Sequence, residues 1–429
     1  MALEDFFLLV GAVILIGFVG NLIRQRTNIP DSLFLILFGL VLGPATGLVP
    51  GEALLEFVPI ISVAAMVTIL VESGIGFDIF HIMGSFGKAA MQTILIALIT
   101  TALITAFLVF YYDWEPAHAA LLGLISSGTT TITAMSLLGS LNIPNKIRRL
   151  VFLETIMNDF TLILGTFIIV ESIKFSTFSL DMAARTIVSE LSVGLLIGLV
   201  VAMAWRYVLE HINLERKMNY ASTIGICFVL YYAAAVLGGN SIVSIFAFSL
   251  FLGNYYRIYD FISPKDAEES DFQSVLRSIR SVQTDFSFFM KSFFFVLLGV
   301  TFDPGLLGLI PIILIGGLVV LIIISRFLAT SVLAFIDKDV AKYRTLISIM
   351  IPRGYVAAVL AFVPAQEGVG VPMLTDIIVL LIIVTTLVSI AGVMIYNRTS
   401  QPGTNGATKN GGNGKPNGNG KSKKNGKKK

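Results

Sequence analysis

Charged side chains are scarce in this 429-residue chain: 13% of positions are Asp, Glu, Lys or Arg, where a soluble chain carries about 25%. The deficit excludes an ordinary soluble enzyme, and the apolar content excludes disorder over most of the length. A single cysteine, Cys227, leaves no disulfide framework and no cysteine-based metal site. Three scattered histidines, His81, His118 and His211, argue against a zinc cluster and are expected in loops or at helix ends. No Gly-rich phosphate-binding loop is present, which argues against ATP-driven pumping. No dinucleotide fingerprint follows the last apolar stretch, so no cofactor, nucleotide or nucleic acid is expected. What is there is apolar: 55% of residues are hydrophobic and the mean hydropathy is +0.87. They come in blocks of roughly 20 residues, the length that crosses a bilayer as helix. The composition describes an all-α polytopic membrane protein and not an enzyme.

Apolar runs between charged or Gly/Pro breaks give about thirteen spans, near 4–23, 31–49, 57–77, 88–111, 117–140, 149–171, 185–207, 219–237, 240–256, 284–303, 305–335, 341–364 and 373–397. Glu4 and Asp5 precede the first span, Arg24 and Arg26 follow it, and no small-residue cleavage site appears, so it is not expected to be a cleaved signal peptide. Of the 30 Lys and Arg, sixteen fall in loops on one side, among them Arg24, Lys88, Lys146, Arg206, Lys265 and Lys338. The opposite loops carry only Lys174 and Arg185, and nine more cations from Arg398 onward join the sixteen. The positive-inside rule then places the N-terminus outside and the C-terminal tail in the cytoplasm, in the cell (inner) membrane.

Span 3 ends ESGIGFD and span 10 ends LLGVTFD, so Gly74, Phe77 and Asp78 recur as Gly299, Phe302 and Asp303 at an offset of 225. Span 2 ends FGLVLGP and span 9 ends FSLFLGN, an offset of 210. Both pairs lie seven spans apart, an odd number, so the two copies sit in opposite orientation. Inverted repeats are a signature of secondary transporters with alternating access. The expected layout is a transmembrane domain over 1–397, with six-helix repeats over about 4–171 and 219–397 and a connector helix near 185–207. In this pairing span 5 corresponds to span 12, and both have polar, helix-weakening centres: SSGTTTIT over 126–133 and IPRGYV over 351–356. Unwound backbone inside a bilayer survives only within protein or against water. Discontinuous helices 5 and 12 crossing at the midplane would offer half-helix dipoles and free carbonyls to an ion.

Three cations, Lys291, Arg326 and Arg353, and three acids, Glu72, Glu154 and Asp159, fall deep within spans. A central charge costs roughly 2.5–3.5 kcal/mol even on the milder insertion scale, so pairing is expected. Balance alone does not assign the partners. Lys291, near the start of span 10, is expected to snorkel to the headgroups. In span 6, LETIMNDFTLILG, helical spacing puts Asn158 one turn from Glu154 and Thr155 one turn from Asp159. An Arg beside Glu154 would leave Asp159 free to bind a proton or a hard monovalent cation in turn, with oxygen ligands that suit Na⁺ or Li⁺.

With these residues in view, the chain resembles sodium/proton antiporters of the monovalent cation/proton antiporter superfamily, nearest to the NhaP-like branch. IPDSLFLILFGLVLGP over 29–44 is similar to the family's span 2 signature, and ETIMNDF to its E-S-x-x-N-D stretch, whose Asn-Asp pair marks electroneutral members. SRFLATSV and IPRGYV are similar to the segments with the span 11 Arg and the span 12 G-x-R-G. The resemblance implies Asp159 as the main Na⁺/H⁺ ligand, with Glu72, the Thr155 hydroxyl and the Thr129 carbonyl as further ligands. It implies that Asn158 steadies the site, that Glu154 pairs with Arg326, and that Arg353 fixes the break of span 12. It also implies a homodimer with a separate ion-carrying core. Members commonly read Thr-Asp-Pro in the span 5 break, where this chain has Thr129, Thr130 and Thr131. Thr130 thus stands in place of an acid, which weakens the expectation for Na⁺ against K⁺.

Residues 398–429 are Asn, Gly and Lys with almost no apolar side chain, and are expected to be a disordered cytoplasmic tail able to touch anionic lipid. The expected function is electroneutral exchange of Na⁺, and Li⁺, for H⁺. The alternatives are K⁺/H⁺ exchange on the same scaffold and Na⁺-coupled symport of an organic solute. Crowded ion pairs argue against a channel.

Overall fold

The computed structural model describes residues 3–27, 29–49, 51, 54, 57–76, 86–139, 141–174, 180–211, 216–262 and 271–400. Phe77, Asp78, His81, Lys265 and the Lys-rich stretch 401–429 lie outside them. The described residues are helical, with no strand among them. In chain order the helices are α1 (Leu3–Thr27), α2 (Asp31–Leu40), α3 (Val58–Gly76), α4 (Phe86–Tyr112), α5 (Pro116–Ile125), α6 (Thr131–Gly139), α7 (Asn145–Lys174), α8 (Leu180–His211) and α9 (Arg216–Val236). There follow α10 (Ser241–Ile262), α11 (Asp271–Val300), α12 (Leu309–Ile336), α13 (Lys338–Lys342), α14 (Arg344–Ile349), α15 (Tyr355–Leu360), α16 (Val363–Gln366) and α17 (Leu374–Ser400). Seven of them are long and apolar enough to cross a membrane, α3, α4, α7, α8, α9, α12 and α17. Large apolar side chains such as Leu98, Phe110, Leu196, Tyr232, Ile310 and Phe335 face outward. That is unfavourable against water and suits lipid.

Sequence chemistry explains where helices stop. Pro116 opens α5, where its missing N–H costs nothing. Asp303 caps the short turn Pro304–Leu307 by accepting from the Gly305 N–H at 2.8 Å. Pro44 leaves α2 ending in a single widened turn, Val41–Ala45, which the apolar pattern of span 2 does not reveal. Span 5 is interrupted at 126–130, where Ser, Gly and Thr compete with the helix. Span 12 is interrupted at 350–354, where Pro352 removes a donor and Gly354 is extended.

The helices form two bundles. One holds α1, α2, α3, α8, α9, α10 and α11; the other holds α4 to α7 and α12 to α17. Contact between them runs mainly through α3 against α7 and α15, and α7 against α8.

Two helix crossings in the first bundle require glycine. A Cβ on Gly39 of α2 would stand 2.8 Å from the Gly299 Cα of α11, and one on Gly43 would stand 2.5 Å from the Val300 carbonyl. A Cβ on Gly74 of α3 would stand 2.5 Å from the Ser249 Cβ of α10, and one on Gly253 would stand 2.7 Å from the Ile75 Cα. Adding 210 to the α2 positions and 225 to the α3 positions turns one crossing into the other.

Candidate cation site

Helix α7 carries the central acids because its apolar pattern is broken at Glu154, Thr155, Asn158 and Asp159, all facing inward or half-buried. Glu154 is fully buried and meets Arg326 of α12, whose Nη1 and Nη2 donate to its two carboxylate oxygens at 3.0 and 2.6 Å. The same guanidinium donates through Nη1 to the Thr129 hydroxyl at 2.9 Å and through Nε to the Ile347 carbonyl at 2.9 Å. A fork this well matched is the arrangement in which a buried pair compensates its loss of water.

The two interruptions satisfy each other. The Thr130 N–H donates to the Pro352 carbonyl at 2.9 Å. Arg353, 2% exposed, donates to the Gly128 carbonyl, to the Ile351 carbonyl at 3.2 Å and to the Thr129 hydroxyl at 3.5 Å. Ser389 and Thr385 of α17 accept from the backbone N–H groups of Ile351 and Arg353 at 3.1 and 3.3 Å. Buried backbone groups must be paired somewhere. Here an Arg and two hydroxyls replace the missing helical bonds. Among the described residues no hydrogen bond reaches the Thr129 carbonyl, which is left available.

Asp159 is half-buried and, among the described residues, takes part in no hydrogen bond or ion pair. It borders two spaces. One is a cavity of about 460 Å³ whose lining includes Glu72, Thr130, Asp159, Lys291, Tyr355 and, near the exposed rim, Thr284. The other is a void of about 10 Å³ against Gly128, Thr129, Thr130, Leu162 and Gly354, about the room of one water. The sequence-expected residues are thus partly gathered. Asp159, Thr129 and Thr130 share the small void, and Asp159 and Glu72 share the large cavity. The Thr155 hydroxyl donates to the Phe152 carbonyl at 2.9 Å, and the Asn158 amide donates to the Ser127 carbonyl at 3.2 Å. Thr155 therefore spends its proton within its own helix, and Asn158 ties α7 to the interrupted segment. No group of three or more His, Cys, Asp or Glu fit to hold a metal occurs among the described residues.

Lys291 has a partner that the sequence reading did not assign: its Nζ lies 2.9 Å from Glu72 Oε1 and 2.6 Å from Oε2, and 5.6 Å from the centre of the Tyr355 ring. Helix α11, which carries it, starts at Asp271, well before the apolar run near 284. The signal in the sequence was the equal number of deep acids and cations, which demanded a partner for Lys291. The remaining histidines lie at helix ends: His118 in the first turn of α5, 3.3 Å from Glu115, and His211 at the end of α8, stacked on Tyr207.

Known proteins share this architecture. The sodium proton antiporter MjNhaP1 from Methanocaldococcus jannaschii, in a structure at pH 8, superposes with a TM-score of 0.70 over 92% of this chain and 97% of that one, at 20% identity. An electron-microscopy structure of the same antiporter gives 0.68 over 93% and 97%, at 19% identity. At that identity the likeness establishes the fold. Sodium/hydrogen exchanger 7 of Arabidopsis thaliana is 22% identical over 328 residues, 71% of this chain and 27% of its own length. The chain thus spans about a quarter of that relative. The family model described as sodium/hydrogen exchanger, transmembrane, matches residues 10–396, and the chain belongs to that family.

Proposed function

We propose that the protein exchanges Na⁺, and Li⁺, for H⁺ by alternating access, one for one and without net charge, with proton and cation competing for Asp159. The observation that carries this reading is the contrast among the buried acids. Glu154 and Glu72 have bases on them, while Asp159, among the described residues, is bonded to none where an open cavity meets the two interrupted helices. A lone carboxylate there is a site for one monovalent positive charge at a time. When Asp159 gives up its proton to take a cation, the local charge is the same before and after. Asp159 and the Thr129 carbonyl supply oxygen for a partly dehydrated cation. Glu154, Arg326, Arg353 and Asn158 hold the geometry, and Thr155 and Glu72 stand close by. The transporter family argues against enzymatic chemistry.

The paired crossings at Gly39–Gly299 and Gly74–Ser249 support two inverted six-helix repeats joined by α8, and with them about thirteen crossings. The weak junction between the bundles supports an ion-carrying bundle, α4 to α7 with α12 to α17, moving against the other. The excess of Lys and Arg at one end supports a cytoplasmic tail, an outside N-terminus and the cell (inner) membrane. A homodimer is carried over from the family resemblance.

The test is purified protein in proteoliposomes with a pH-sensitive dye, offered Na⁺, Li⁺ and K⁺ in turn. Na⁺ and Li⁺ should dissipate the proton gradient, and Asp159→Asn should abolish the response. Exchange surviving in that variant would refute the role of Asp159. One observation favours a second reading, K⁺/H⁺ exchange: Thr130 puts a neutral side chain on the small void beside Asp159. A dye response to K⁺ alone would establish it.

A further inference from the structure

The large cavity stops short along every helix that lines it. Among the described residues its lining runs from Ile69 to Gly76 on α3, from Phe152 to Phe160 on α7 and from Thr284 to Phe295 on α11. It opens at the level where α3 ends, near which Arg280 of α11 donates to the Ile75 carbonyl at 2.8 Å. Further from the opening on the same helices, Ala65, Ile163 and Leu298 are at most 2% exposed. Asp159 is thus open to one side and sealed from the other.

The seal crosses the junction between the bundles. Phe294 of α11 meets two rings of the other bundle edge to face: Tyr355 of α15 at 5.6 Å and 75°, and Phe362, between α15 and α16, at 5.5 Å and 71°. The Tyr355 ring also lies 5.9 Å from that of Phe295, and its hydroxyl donates to the Ala65 carbonyl of α3 at 3.3 Å. Tyr355 follows Arg353 by two residues, and Arg353 is bonded to the Gly128 carbonyl of the other interruption. It therefore travels with the interruptions, and a shift of that bundle past α3 and α11 must part these rings.

The opposite side is built differently. Equivalent residues of a twofold repeat meet where its axis passes. The Thr100 and Ser325 hydroxyls lie 2.7 Å apart, and Arg353 donates to the Gly128 carbonyl; both pairs are 225 residues apart, the offset that separates Gly74 from Gly299. The same offset carries Phe294, Tyr355 and Phe362 onto Ile69, Thr130 and Leu137. Ile69 and Thr130 line the open cavity. The side chains that would close it bear no ring, so they lack the edge-to-face attraction that aromatic pairs add to area burial.

We infer that Phe294, Tyr355 and Phe362 form the gate that closes the cation site on the side away from the cavity, and that their ring contacts make the cavity-open form the resting one. Passage of an ion to the far side requires those rings to separate. The inference rests on the alternating-access reading above, and its test separates the two.

The experiment follows labelling of Ala65→Cys by a membrane-impermeant thiol reagent in intact cells and in inverted vesicles, with Cys227→Ser removing the native thiol. Thr284→Cys, at the exposed rim, identifies the cavity face. With the gate intact, Ala65→Cys should label slowly from both faces. Adding Phe294→Ala removes both ring pairs, and labelling from the face opposite the cavity should speed up roughly 5- to 150-fold. Ile69→Ala, at the equivalent position, should give no such rise, which separates a gate from general loosening. Labelling that Phe294→Ala leaves unchanged, or raises only from the cavity face, overturns the inference, as does an equal rise in Ile69→Ala. Should Phe294→Ala fail to fold, Tyr355→Phe keeps the ring and removes only the bond to Ala65. It should speed labelling from the same face about two- to tenfold, and no change there overturns the inference. A native protein that exchanges none of Na⁺, Li⁺ and K⁺ for protons refutes the exchange reading, whereas labelling alone judges the gate.

Discussion

Replacing Arg326 with Met would leave Glu154 buried with no base among the described residues. The residue donates four hydrogen bonds, two to Glu154, one to Thr129 and one to Ile347. Removing one partner of a buried pair costs about 3–5 kcal/mol, mostly from the charge left behind. Equilibrium unfolding in mixed micelles at pH 7 should show a loss of that size. Replacing Glu154 with Met as well removes the buried charge and leaves only the Thr129 hydroxyl and Ile347 carbonyl without their donor. The double variant should lie within about 1–3 kcal/mol of the native protein. A single-variant penalty below about 1 kcal/mol, or a double variant no more stable than the single one, would refute this account.

Other expectations concern different sites. Asp337, in the connection between α12 and α13, accepts from Lys88 at 2.5 Å and Lys146 at 3.0 Å and caps α13 through the Asp339 N–H. These contacts, that from Lys88 foremost, hold its carboxyl below the usual carboxylate range. Its stabilising contribution is therefore complete above about pH 4 and is lost only as pH falls below that. Asp337→Asn should cost about 1–2 kcal/mol near neutrality, read as a lower unfolding midpoint whose gap from native closes only in acid. Thr130→Asp returns a negative charge to the void beside Asp159 and should lower KM for Na⁺ relative to K⁺ in dye assays; an unchanged ratio would show that this position does not select the ion.

Much of the helical plan and both interruptions were legible, because Gly, Thr and Pro weaken a helix wherever it sits. Ser126 to Thr130 and Ile351 to Gly354 fall where the chain unwinds. Pairings between helices were not legible from composition. That Arg326 rather than Arg353 meets Glu154 depends on which face of α12 turns inward, and the family likeness supplied it rather than the spacing. The Lys291–Glu72 pair was not legible either, since it depends on which faces of α3 and α11 turn toward each other, and the polar start of α11 lies outside the apolar run that marked span 10. The widened turn at Val41–Ala45 left no periodic trace, since it shifts only one turn.

The mutual bonding of the two interruptions has a consequence for biogenesis. The Gly128 carbonyl waits for Arg353, made 225 residues later, and at about 5–20 residues per second that interval lasts roughly 11–45 s. During it the Gly128 carbonyl and the Thr130 N–H lack the partners that the 350–354 interruption later supplies. Some other host, such as the insertion machinery or trapped water, must shelter them until the last third of the chain emerges. A truncated chain ending before α14 would leave the Gly128 carbonyl and the Thr130 N–H without those partners permanently.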